Sequence, residues 1–110
     1  MNLTLVIDGK EKKFGKPRVT GATYREFLDM NQRIDFGNPT GEELDEIVQL
    51  ICDSYGNQFT IDEFHNGLEI DPDSEDSYFF KIGEFLQRVQ GIKANAQPVK
   101  ESENQKPATP

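Results

Sequence analysis

The sequence predicts an α+β fold that is mainly helical: an N-terminal β-hairpin, then three to four amphipathic helices, then a disordered C-terminal tail. Three observations carry that expectation. Leu3, Leu5 and Ile7 alternate with Thr4 and Val6 and stop at Asp8-Gly9, which is the alternation and the turn of a hairpin. Three Thr-x-x-Glu spacings, Thr23/Glu26, Thr40/Glu43 and Thr60/Glu63, stand at candidate helix starts with the spacing of a capping box. From Lys93 onward the chain is polar and carries Pro98, Pro107 and Pro110, with Val99 as its large aliphatic residue.

The hairpin occupies about residues 2–15, its return strand ending in Phe14. Two strands alone are marginal in water, so this hairpin must pack on helices. The first helix is expected over about 22–34, with Tyr24, Phe27, Leu28 and Ile34 on one side, and Asp35-Phe-Gly-Asn-Pro39 breaks it. The second, about 41–55, places Leu44, Ile47, Val48, Ile51, Cys52 and Tyr55 on one stripe. Its other face carries Glu42, Glu43, Asp45, Glu46 and Asp53, and Gly56-Asn57 ends it. A short helix over about 61–66 stops at Gly67, with Gly56 and Gly67 both reading as turn residues.

Asp71-Pro72 suits the opening of a last helix over about 72–90, closed by Gly91. Tyr78, Phe79, Ile82, Phe85, Leu86 and Val89 share the side centred on Ile82, while Phe80 points roughly 160° away from it. Residues 1–91 thus read as a single globular domain. Residues 92–110 read as a tail whose composition cannot offset the entropy of ordering.

The formal net charge is −8, unevenly spread. Residues 1–25 hold six Lys/Arg against two acids, residues 26–90 three against sixteen, and residues 91–110 three against two. The acidic body argues against nucleic-acid binding, which needs basic groups to displace counterions. It suits solubility, repulsion between copies, or a basic partner. No apolar run approaches the roughly 18 residues of a membrane span. Met1–Gly9 lacks the basic start and apolar core of a signal peptide. A single Cys, Cys52, suits a reducing cytoplasm.

Reactive chemistry finds little support. Asp71-Pro-Asp73-Ser-Glu75 opens like a calcium loop, but Asp76 stands where the turn needs Gly and Ile82 where a bidentate Glu is needed. Counting back from Glu63 in Thr60-Ile-Asp-Glu63 puts Cys52 at the first position of a second such loop. The acids from Asp71 to Asp76 read instead as first-turn residues of the last helix, where its dipole favours them. His65, the one His, reads as a surface residue, and Cys52 as a buried thiol; together they do not make a zinc site. Phosphate loops and nucleophile elbows are lacking. No catalytic, cofactor or metal residue is therefore expected, and the chain reads as a binding protein, not an enzyme.

The aromatic residues Phe80, Phe59 and Phe64 are the candidate partner-binding positions. Phe80 lies opposite the core stripe if the last helix is regular there; a late helix start, or packing under the hairpin, would account for it otherwise. Core packing of the short helix is the plainer reading for Phe59 and Phe64.

The stretch Tyr55-Gly-Asn-Gln-Phe-Thr-Ile-Asp-Glu-Phe-His-Asn-Gly-Leu68 resembles the Gly-Asn-Gln-Phe-Thr-x-Asp/Glu segment, ending in Gly-Leu, of the tail assembly chaperones of siphovirus-type bacteriophages of Gram-positive hosts. The order of elements over residues 1–90 is similar too, while the acidic run from Asp71 to Asp76 and the long tail depart from that pattern. The resemblance implies a cytoplasmic protein that binds the tape measure protein until tail tube subunits polymerise around it, and that is absent from the mature virion. It also implies the major tail tube protein as a second partner, through a frameshift-extended form. Self-association is a further expectation; nucleic acid and membrane are not expected partners. The competing functions are a structural tail or head–tail connector component, and an acidic host-directed inhibitor that imitates nucleic acid.

Overall fold

A computed structural model of the chain describes residues 1–71, 73 and 77–96, with side chains through residue 91. The elements run β1 (Leu3–Ile7), β2 (Lys10–Phe14), α1 (Gly21–Arg33), α2 (Gly41–Ser54), α3 (Ile61–Gly67) and α4 (Tyr78–Ala96).

The two strands pair antiparallel, with Ile7 opposite Lys10 and Leu3 opposite Phe14. Asp8 (φ 54°) and Gly9 (φ 76°) both take left-handed backbone. A two-residue turn of this hand matches the twist of the strands, and Asp-Gly is among the pairs that tolerate it. Leu3, Leu5 and Ile7 point into the core, whereas β2 buries only part of Phe14 and leaves its lysines in solvent. Lysines along such an edge discourage pairing with another chain.

α2 is the central element. It touches α1, α3 and α4, and Ile47, Val48, Leu50, Ile51, Cys52 and Ser54 are all buried. Thr40 and Glu43 form the expected capping box at its start: the Thr40 hydroxyl accepts from Glu43 N–H at 3.2 Å, and Glu43 Oε1 accepts from Thr40 N–H at 2.9 Å. Thr60 and Glu63 repeat the arrangement at α3, at 3.1 and 2.9 Å.

The third spacing does not cap. α1 starts earlier than expected, at Gly21, with Thr20 as its cap and the Thr20 hydroxyl accepting from Thr23 N–H. Thr23 lies inside the first turn and is buried, and its hydroxyl bonds to that of Thr20. The residue before Gly21 thus supplies the oxygen that the later Thr-x-x-Glu spacing led one to seek at Thr23.

α4 also differs, at both ends. It opens at Tyr78, not near Pro72: the Ser77 carbonyl accepts the first helical bond, from Lys81 N–H at 3.0 Å. Asp-Pro and Ser are comparable helix openers, so packing decides: Tyr78 is buried against Phe64 and its N–H donates to the Glu69 carbonyl at 2.8 Å. Asp71 and Asp73 therefore precede the helix, whose first turn holds no acid; Pro72, Ser74, Glu75 and Asp76 lie outside the described residues. At the other end α4 runs through Gly91 to Ala96. Gly91 does not adopt the left-handed backbone of a helix stop, unlike Gly56 (φ 70°), and a lone Gly inside a helix costs only about 1 kcal/mol relative to Ala. Residues 92–96, expected in the tail, are thus helical; the rest of that tail lies outside the described residues.

Candidate partner-binding groove

Aromatic rings form a continuous path through the core. Phe14 meets Phe59 (centroids 4.9 Å apart), Phe59 meets Phe64 (6.1 Å), Phe64 meets Tyr78 (5.6 Å), and Tyr78 meets Phe79 (5.2 Å). The path begins under the hairpin and surfaces at the first turn of α4. Phe59 and Phe64 are brought together, but in the interior, so their rings offer a partner no surface as placed. Of the three aromatic residues singled out from the sequence, only Phe80 is exposed, at 50%.

Its neighbour Phe79 is more exposed still, at 59%, although helical periodicity assigned it to the core stripe. At the first turn of α4 the core covers Tyr78 but, among the described residues, leaves Phe79 uncovered. Instead Phe79 lines a groove of about 280 Å³ with Leu44 of α2, His65 of α3, Leu68, Ile70 and Tyr78. Ile70 is 68% exposed. The volume lies just below the roughly 300–1,000 Å³ typical of small-molecule sites and suits a few side chains of a partner. Phe80, the next residue along α4, is not part of its lining.

His65 holds the groove together. Its Nε2 lies 2.8 Å from Asp45 Oδ1 and its Nδ1 lies 2.8 Å from the Tyr78 hydroxyl, so one ring ties α2, α3 and α4. It is a half-buried connector, which corrects the expectation of a plain surface residue. Nε2–H donating to the carboxylate leaves Nδ1 to accept from the phenol. Burial, and then the Asp45 charge, push the Tyr78 phenol up to about 12, above the already alkaline value of an ordinary tyrosine. The backbone helps too: Tyr78 N–H donates to the Glu69 carbonyl at 2.8 Å, which fixes the segment bearing Ile70 against α4.

Sequence reasoning missed Leu44, Leu68 and Ile70 as groove residues because Leu44 belongs to α2 and the other two to the segment after α3, parts of the chain that only the fold brings together. Ile70 did carry a signal, being a large aliphatic between Glu69 and Asp71 outside any amphipathic stripe.

Cys52 is buried as expected, and burial, helped by the neighbouring Asp53 charge, pushes its thiol up to about 11. A thiol so placed is a poor nucleophile. Among the described residues no group of three or more His, Cys, Asp or Glu could hold a metal ion, and no helix is long and apolar enough to cross a membrane.

Fold and surface together define a small helix-rich protein whose conspicuous feature is an apolar groove built on three helices. The chain belongs to the phage tail chaperone protein family, whose model matches residues 1–106. The resemblance seen between Tyr55 and Leu68 is thus family membership over nearly the whole chain. Among curated proteins and among solved structures no match was found.

Proposed function

We propose that this chain is a noncatalytic tail assembly chaperone that binds the tape measure protein in the cytoplasm, keeps it soluble, and leaves before the virion is complete. The observation that carries the reading is the groove of Leu44, Leu68, Ile70, Tyr78 and Phe79, with Phe80 exposed on the same turn of α4. A long apolar helical polypeptide aggregates while it waits for its final partners. A helix can lay its apolar side into a groove of this kind, anchored by a few large side chains. The outward acids of α2 and the net charge of −8 then keep the covered polypeptide dispersed.

The test is co-expression with the tape measure protein. The wild-type chain should keep that protein in the soluble fraction, and Phe79→Asp should let most of it precipitate. Phe79 is largely exposed in the first turn of α4, where an acid is favoured by the helix dipole, so the variant should keep its own stability. Equal precipitation with and without the wild-type chain sinks the proposal.

A further inference from the structure

The groove has a charge character that its apolar lining conceals. Asp45, exposed, adjoins it through one oxygen 2.8 Å from Nε2 of His65, which lines the groove. Glu69 and Asp71, both exposed, flank Ile70 on either side along the chain and line an adjoining hollow that shares Leu68 with the groove. Among the described residues no Lys or Arg lines the groove. Lys81, three residues beyond Tyr78, directs its ammonium to Glu84 Oε1 at 3.3 Å. His65 spends both ring nitrogens on Asp45 and Tyr78. The lysines Lys10, Lys12, Lys13 and Lys16 all belong to the hairpin and the segment just after it.

From this we propose that the groove selects an amphipathic helix whose apolar stripe is bordered by Lys or Arg. The inference rests on the groove being the partner site. The stripe would meet Leu44, Ile70 and Phe79, and the bordering cations would meet Asp45, Glu69 and Asp71. A helix bordered by acids would bring like charges against these three carboxylates, and suppressing wrong partners is a main effect of charge around an interface. The Asp45 charge is already felt at the groove wall, where it adds to burial in holding the Tyr78 phenol neutral. The terminal segment of this same chain is a poor occupant, since residues 97–110 offer only Val99 as a large aliphatic anchor.

The experiment measures binding of the full chain to three synthetic helical peptides by fluorescence anisotropy. All share one leucine stripe, bordered by Lys, by Gln or by Glu. At about 0.01 M salt the Lys-bordered peptide should bind about tenfold more tightly than the Gln-bordered one, and the Glu-bordered one most weakly. At about 1 M salt, where screening acts within roughly 3 Å, the three should converge. The Glu69→Gln/Asp71→Asn variant should lose most of the preference, whereas Phe79→Ala should weaken all three peptides alike.

Equal binding of the three at low salt, with Phe79→Ala still weakening each, overturns the charge preference and leaves the apolar groove standing. Failure of all three to bind, with Phe79→Ala without effect on tape measure solubility, removes the groove as the site and this inference with it. If the chain alone sediments as an oligomer that Phe79→Ala dissociates, a second copy is the occupant and the proposal fails.

Discussion

Gly67 shows how one missing side chain sets the position of a helix. It closes α3 where that helix meets β1, and a Cβ there would lie 3.1 Å from Leu5 Cβ and 3.2 Å from both Val6 N and Val6 O. Two of those three neighbours are backbone atoms of a paired strand, which cannot rotate away as a flexible side chain would. From the sequence Gly67 read as a turn residue, but its backbone is not left-handed; what requires glycine is close approach. Gly56 and Asn57 (φ 56°) are the true turn residues of that stretch. Gly67→Ala should therefore destabilise the fold by about 1–3 kcal/mol, the usual range for overpacking, despite the better helix propensity of Ala. A urea midpoint unchanged from wild type would show that β1 and α3 can move apart at no cost. Such a close approach leaves no trace in periodicity or spacing, because it depends on two elements sixty residues apart in the chain meeting in space.

At the scale of elements, much was legible where the signal is local. The Asp8-Gly9 turn, the stripe of α2 and two of the three capping boxes follow from spacing and residue type alone. The start of α4 was not legible, because Asp-Pro and Ser77 compete as openers and packing decides between them. The groove was legible only in pieces: periodicity puts Phe79 about 60° from Ile82, on the edge of the stripe. Whether an edge residue is covered depends on where the neighbouring helices end. The caps give a direct test. α3 has seven residues, too few to hold by propensity, so its start depends on Thr60 and on packing of Phe64. Thr60→Ala should lower stability by about 1 kcal/mol, within the measured range for lost caps. Glu26→Ala, in the spacing that does not cap, should change it by less than about 0.5 kcal/mol, as exposed substitutions usually do. Equal losses in the two variants, read from denaturant midpoints, would contradict the assignment of Thr20 as the cap of α1.

For the whole molecule, burial of weakly acidic groups ties stability to alkaline pH. Cys52 is pushed up to about 11, and Tyr55 and Tyr78 each to about 12, in every case chiefly by burial. The folded state therefore holds these protons at pH values where the unfolded chain has released them. Stability rises with pH only where the unfolded state binds more protons, so here it must fall. The contribution of these groups is fully present below about pH 9, the ordinary value for the Cys52 thiol, and is lost as pH rises towards about 12. A displacement of this size is worth on the order of 2 kcal/mol per group. Tyr55 allows the cause to be isolated, because its buried hydroxyl has no hydrogen-bond partner among the described residues. Tyr55→Phe removes a titrating group and an unsatisfied polar atom together, so it should be as stable as wild type or more stable near neutral pH. Its urea midpoint should then decline less steeply than that of wild type above about pH 10. Parallel curves for the two proteins, measured from neutral to strongly alkaline pH, would show that Tyr55 carries none of the alkaline loss.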